Sequence, residues 1–436
     1  MTSDIQRILD HVSEERLLEL ELGSIRIPSS TFEEGPLADW LASWLRDLGL
    51  DVDMMEVENP VKPGHFSRQP VAVMKGTGGG PTVMLNGHMD PGIEMTGWSV
   101  DPHAGIYRDG WVWGMGAHDD KGGVAAMISG VEALVRAGMR PKGDVLITPV
   151  VAHKYGGVGT RALLDAGITA DMCINMEHSA NTIANVCVGL IMIKITTRSP
   201  DLFFRYSKEA RAAYWNPIEQ MCEIVRRIGP SLTPPGAGSW MTFEPHPDLP
   251  DFPKITVDTI YKDHYFRPAR TELTTRECEM TFQIRLVPGQ TVESVTRDVE
   301  RLLAGIKADH PAFHAEMVVP ASGYGDTWCQ MPMETARDHP LVTCLAEAWS
   351  AATGREPEIG GIGRLGNVGD GNILAEAGIP SVQFGPGDIR IYDEWPTPDE
   401  RVPLGDLVDA ARTMALATWW TANGETAPSV GQTVSA

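Results

Sequence analysis

Val83-Met84-Leu85-Asn86-Gly87-His88-Met89-Asp90 is the stretch that decides the fold. Its apolar start reads as a buried strand, and the strand runs directly into a histidine and an aspartate two positions apart. Gly116-Ala117-His118-Asp119-Asp120-Lys121-Gly122-Gly123 follows, and residues 121–137 read as a helix. Residues 144–151 read as the next strand, and 172–176 as another, ending at Glu177. Strand, helix, strand in succession predicts a doubly wound α/β layer with a mixed sheet. Such sheets bind ligands in the crevice beyond their strand C-termini.

Working outward, residues 37–45 carry apolar side chains at helical spacing and end near Gly49. Residues 71–74 read as a strand. The segment Gly76-Thr77-Gly78-Gly79-Gly80-Pro81 joins it to the 83–85 strand. It opens no helix, so it reads as a flexible hairpin loop and not as a phosphate cradle. Near Leu190 the pattern changes. Strands at 191–195, 255–260, 278–284 and 314–319 alternate with helices at 217–228 and 291–306. That order, βαββαβ, is the split ferredoxin-like arrangement. The expectation is a discontinuous α/β domain (1–190 and 321–436) with an inserted ferredoxin-like α+β domain (191–320).

With 436 residues the chain is long enough for two domains. A hydrophobic content of 42% with 22% charged residues is that of a soluble globular protein. The net charge of −22 argues against nucleic acid as a partner, because that needs a basic footprint. The six cysteines are scattered with no C-x-x-C pair, which fits reduced thiols and a cytoplasmic location. The charged N-terminus lacks the apolar core of a signal peptide. No apolar run approaches the ~20 residues of a membrane helix.

The chemistry lies at the strand ends. His88 closes the 83–86 strand, and Asp90 is placed to accept its second ring N–H and fix the tautomer. Asp119 precedes a helix, and Glu177 ends a strand. His88, Asp119 and Glu177 together offer one nitrogen and two carboxylates, a donor set suited to one divalent transition metal per chain, Mn or Zn.

Gly87-His88-x-Asp90, Trp98-x-x-Asp101-Pro102, Gly114-x-Gly116-Ala117-x-Asp119-Asp120-Lys121-Gly122-Gly123, Gly156-Gly157-x-Gly159-Thr160, Asn175-x-Glu177, Arg285-x-x-Pro288-Gly289 and the 378–387 segment appear in order. This series resembles the metallopeptidase family of acetylornithine deacetylase, succinyl-diaminopimelate desuccinylase, aminoacylase and glutamate carboxypeptidase. The resemblance implies a zinc-peptidase-like catalytic domain, a lid that dimerises, and two divalent metals bridged at the position of Asp119. It also implies that Arg285 meets a substrate carboxylate.

The departures from that family carry as much information. His153-Lys154 stands where the family has Glu-Glu, its general base and a ligand of the second metal. Pro396 stands where the family's last histidine ligand precedes Thr397-Pro398-Asp399-Glu400. One metal set therefore looks buildable and the other does not. Under this reading His153 handles the proton of the attacking water, and Lys154 offsets negative charge. Tyr392 and Trp395 wall an aromatic or amino-acid-like substrate that carries a carboxylate. The altered site resembles the nitroaromatic-deaminating branch of the family. It implies hydrolysis of a non-peptide C–N bond, 5-nitroanthranilate to 5-nitrosalicylate and ammonia, through nucleophilic aromatic substitution by metal-bound hydroxide. An aminoacylase- or dipeptidase-type amide hydrolase is the alternative, and a catalytically dead binding or scaffold homologue is a third reading.

Overall fold

The computed structural model describes residues 2–92, 94–199, 207–209, 214–235, 239–262, 276–321, 329–361, 368–387 and 398–424. Two compact units result, Met1–Cys187 with Met333–Ala436, and Val188–Pro332.

The first unit is built on a mixed sheet. Its strand order is Asp51–Glu58, Phe66–Met74, Val145–Val150, Val83–His88, Met172–Met176, Ser381–Phe384, Ile183–Cys187 and Met333–Glu334. The four strands from Val145–Val150 to Ser381–Phe384 are parallel neighbours. The flanking pairs are antiparallel. Val83–His88 is buried along its whole length, as a strand covered on both faces must be. The covering helix Lys121–Arg136 is buried on almost every side, because Leu404–Asn423 packs against it. Val124, Ile128, Val131 and Leu134 are fully or almost fully enclosed there. Each such side chain contributes about 1.5–3 kcal/mol relative to exposure. Among the described residues no helix is long and apolar enough to cross a membrane.

The glycine-rich segment at 76–80 does not close a hairpin. Val145–Val150 lies between Phe66–Met74 and Val83–His88, so the two strands it joins are not neighbours. Its glycines serve close packing. A Cβ on Gly76 would stand 2.3 Å from the Lys142 carbonyl oxygen, and one on Gly80 2.2 Å from that of Ala422. Thr77 N–H donates to Pro141 O and Gly78 N–H to Lys142 O. The segment thus crosses over the lead-in to Val145–Val150 and pins it.

The second unit has its own core of Ile191, Ile193, Ile195, Ile224, Phe282, Ile284, Val295 and Ile306, among others. Its sheet order is Lys254–Lys262, Glu277–Leu286, Gly189–Arg198 and Ala315–Val318, all antiparallel, with helices Pro217–Ile228 and Val292–Asp309. In chain order those strands are two, three, one and four, the ferredoxin-like arrangement. Glu277–Leu286 alternates part-buried and buried residues throughout, the pattern of a sheet with one face on a core.

Candidate metal centre

The four parallel strands all deliver their C-termini to one edge of the sheet, and the chemistry gathers there. Val83–His88 ends in His88, and Glu177 and His178 come directly after Met172–Met176. The 3-10 turn His153–Tyr155 follows Val145–Val150. Asp119 and Asp120 precede Lys121–Arg136, and Asp370 opens the helix Asp370–Glu376.

His88, Asp119 and Glu177 come together. His88 Nε2 lies 3.0 Å from Asp119 Oδ1. Both atoms are buried and neither has hydrogen-bond alignment, and Glu177 Oε1 is buried in the same condition. Buried polar atoms normally have partners, so these atoms, with those of Asp120, His153 and Asp370 in the same condition, mark a place where something is shared. A metal bond of roughly 2.1 Å puts neighbouring donors about 3.0–3.5 Å apart. His88 and Asp119 meet that spacing, and Glu177 offers an atom within 4.8 Å of donors on Asp119 and His178 and of donors on His88 and His153, so the cluster as a whole suits a divalent cation. His88 Nδ1 donates to the Asp90 carbonyl at 2.9 Å, which leaves Nε2 as the atom turned to the site.

The Asp90 carboxylate has a different task from the one expected of it. It lies 3.7 Å from His88 Nδ1, beyond hydrogen-bond reach. Its oxygens accept from the His153 N–H at 3.1 Å, the Lys154 N–H at 3.0 Å and the Thr31 hydroxyl at 2.9 Å. Two more side chains hold the preceding residues. Gln69 Oε1 accepts from Val151 N–H and Glu34 Oε1 from Ala152 N–H. Because Ala152, Gly156 and Gly157 all have positive φ, this short turn leaves backbone donors exposed, and acceptor side chains satisfy them.

That turn presents His153 and Lys154 inward. Lys154 Nζ sits 2.7 Å from Asp119 Oδ2. The His153 ring stacks on His88, with centroids 4.1 Å apart and planes 8° apart. Its Nδ1 lies 3.2 Å from Asp370 Oδ1, and its Nε2 lies 3.7 Å from Glu177 Oε1. Gly157 allows the Asp370 approach, because a Cβ there would stand 2.5 Å from Asp370 Oδ1. Burial opposes the His153 imidazolium, but Asp370 and Glu177 outweigh it and raise the pKa to about 9. Burial likewise opposes the Asp119 carboxylate, while Lys154 and His178 hold its pKa well below the usual range. Asp120 goes the other way: burial, with Glu177 and Asp119 adding to it, pushes its pKa well up.

Glu400, in the segment Pro398-Asp399-Glu400, carries the Asp119 loop. It accepts from the N–H groups of Gly116, His118 and Asp119 at 2.9–3.0 Å. Sequence reasoning passes over three residues here: it sees Glu400 only as part of a motif, and it gives Asp370 and His178 no role. Arg285 lies in the second unit, in Glu277–Leu286, paired with Lys254 and Leu190 and attracted by Asp258. Tyr392, Trp395 and Pro396 lie outside the described residues.

The support of the turn has a measurable consequence at Glu34. Burial, reinforced by Asp90, raises its pKa from 4.5 to about 7. Between those values the folded chain holds a proton that the unfolded chain has lost. The stability from this proton is therefore full below about pH 4.5 and is lost as pH rises through about 7. A tenfold difference in proton affinity is worth about 1.4 kcal/mol, so the loss is on the order of 3 kcal/mol. Glu34→Gln keeps an acceptor for Ala152 N–H and removes the ionisation. Urea unfolding at pH 5 and pH 8 should show a smaller pH loss in the variant. An identical loss in both proteins would refute the assignment.

Comparison with known proteins gives relatives for the chain as a whole. Residues 84–419 match the model of peptidase family M20/M25/M40. The N-formyl-4-amino-5-aminomethyl-2-methylpyrimidine deformylase of Halalkalibacterium halodurans is 26% identical over 434 residues, covering 94% of this chain and 96% of that protein. A succinyl-diaminopimelate desuccinylase of Cereibacter sphaeroides is 28% identical, covering 88% and 93%. The structure of a dinuclear metal-binding peptidase of the M20 family from Bacillus subtilis is similar with a TM-score of 0.66, covering 95% of this chain and 99% of that one at 16% identity.

Proposed function

The chain belongs to peptidase family M20/M25/M40, and from that premise we propose that it is a metal-dependent hydrolase that cleaves the amide C–N bond of a small N-acyl amine. The observation that carries the proposal is the buried set His88 Nε2, Asp119 Oδ1 and Glu177 Oε1, three donors without hydrogen-bond partners at the C-terminal edge of the sheet. Relatives that span nearly the whole chain, at 26% and 28% identity, are named for removing N-formyl and N-succinyl groups. Their names favour an acyl group on nitrogen over a ring amine as the target.

His88, Asp119 and Glu177 would hold one divalent cation, which would supply Lewis acidity at the site. With a cation offsetting Glu177, one of the two carboxylates that raise its pKa, His153 would take the proton given up by the attacking water and pass it to the departing nitrogen. An amide and water thus become a carboxylate and an amine. Asp370 faces His153 Nδ1 at 3.2 Å and its charge favours the imidazolium, while Nε2 lies on the side of Glu177. Lys154 neutralises the second oxygen of Asp119, so that a second cation there meets an ammonium instead of a carboxylate oxygen.

That same Lys154 contact favours a second reading. A site limited to one cation polarises a carbonyl less than a two-metal site does. An electron-poor ring carbon with its own electron sink needs less help, as in the deamination of 5-nitroanthranilate. One panel separates the readings. Metal-loaded protein is offered N-formyl and N-succinyl amines, dipeptides and 5-nitroanthranilate, while released acid, amine and ammonia are measured. Acyl release from the first two groups is the expected result. Ammonia from the nitroaromatic with intact amides would move the chain to the second reading, and no hydrolysis in metal-loaded protein would remove both. Elemental analysis after metal titration should saturate near one ion per chain, and two tightly held ions would overturn the single-cation part.

A further inference from the structure

We propose that His178 is a fourth protein donor to this metal centre, making it a set of two imidazoles and two carboxylates. The inference rests on the reading of His88, Asp119 and Glu177 as the cation's ligands and extends it by one residue.

The geometry points there directly. His178 Nδ1 lies 3.5 Å from Asp119 Oδ1 and 3.5 Å from Glu177 Oε2. With His88 Nε2 at 3.0 Å from the same Asp119 oxygen, these separations are those of neighbouring donors around one ion with bonds of roughly 2.1 Å. Asp119, Glu177 and His178 each offer an atom within 4.8 Å of the others, and all three are buried.

The backbone explains why two consecutive residues reach one place. Inside a strand, neighbours face opposite sides of the sheet. Met172–Met176 ends one residue before Glu177, so the alternation stops there. The chain then turns through Ala180 and Asn181, both with positive φ. Ser179 and Asn181 N–H groups donate to the Gly385 carbonyl, and the Ser179 hydroxyl accepts from Gly385 N–H. Asn181 Nδ2 donates to Asp406 O. His178 is therefore held on both sides in sequence, and its ring also meets that of His118 at a centroid distance of 4.8 Å.

Chemically, a second imidazole changes what the site selects. Two nitrogens and two carboxylates suit Zn and neighbouring transition metals and disfavour Mg and Ca, which take oxygen-rich sets. His153 is the competing nitrogen, because His88, His153 and Glu177 also group within 4.8 Å. The two differ in their second partner. His153 Nδ1 faces Asp370, whereas His178 Nδ1 faces two of the proposed ligands at once.

The test reads the metal and not turnover. Zn affinity is measured by competition with a chelator in wild-type, His178→Ala and His153→Ala proteins. Nitrogen ligands are counted by pulsed EPR on the Mn-loaded forms. The expected result is a loss of at least about 100-fold in Zn affinity for His178→Ala, beyond the 10–100-fold typical of supporting residues. The nitrogen count should be two in wild type and in His153→Ala, and one in His178→Ala. Unchanged affinity in His178→Ala, or a count of one in wild type, overturns the role of His178 and leaves the three-ligand reading standing. Wild-type protein that binds neither metal defeats the underlying reading instead. Should His178→Ala not fold, the counts in wild type and His153→Ala still decide: a fall from two to one in His153→Ala gives the second nitrogen to His153.

Discussion

Changing Glu177 to Ala is expected to empty the centre of metal and stop turnover together. Glu177 is the residue on which the arrangement converges. One of its carboxylate oxygens faces His153 and the other His178, at 3.7 and 3.5 Å. Burial alone would favour its neutral acid, but His153 leads a group of imidazoles that keep its pKa low. The side chain is thus prepared as an anion in a place almost without water, which is what a cation ligand requires. Loss of the cation removes several kcal/mol of transition-state stabilisation, and 1.36 kcal/mol is a factor of ten in rate. Turnover should therefore fall by roughly 10³-fold or more, with metal in the dialysed protein at background. Added Zn should raise the melting temperature of the wild type and leave the variant unmoved, because a ligand stabilises only the form that binds it. Asp120→Asn is the matching control. Asp120 is equally buried and adjacent to Asp119, but burial, with Glu177 and Asp119 adding to it, pushes its pKa well up, so an amide disturbs the charge least there. A Glu177→Ala protein that keeps its metal would dismiss the residue as a ligand.

The sequence carried the frame of this centre because the frame is local. Strand, glycine-histidine, strand-to-helix junction and strand-terminal glutamate are each legible within a few residues, and the parallel sheet brings their ends together without further instruction. The second unit was legible for the same reason, since alternation in residues 277–286 and helical spacing in 217–228 and 292–309 are local patterns. What was missed depends on contacts made far along the chain. Asp370 reaches His153 only because Ser381–Phe384 pairs beside Met172–Met176 and sets the preceding helix over the site. The short spacing points Asp90 at its own neighbour His88, while the N–H groups of a turn distant in sequence have the stronger claim on its carboxylate. The 76–80 hairpin failed for a related reason. Glycine density signals a tight path, but it does not say whether a third strand enters between the two it joins. His178 was hidden by the rule of alternation itself, which holds only while the strand continues.

His153→Ala is expected to lower kcat by roughly 10²–10⁴-fold while the metal stays bound, the range typical for loss of an acid–base group. Its position separates this role from that of a ligand. The ring lies flat on His88, so the two imidazoles present parallel faces to each other, and Nδ1 faces Asp370 at 3.2 Å. Only Nε2 is left for the site, and at 3.7 Å it stands farther from Glu177 than His178 does. The ring is therefore fixed in direction but not closed into the donor set, as a group that passes a proton in and out must be. Asp370→Asn should act on the same step through His153. An amide in place of the carboxylate removes the charge that fixes the ring, so kcat should fall while KM and bound metal stay close to wild type. The two changes made together should cost little more than His153→Ala alone, because residues that act as one unit do not add. If His153→Ala instead strips the metal, the residue is a ligand and proton transfer belongs elsewhere. If kcat barely moves with metal in place, no imidazole is needed at the position where related hydrolases carry a carboxylate.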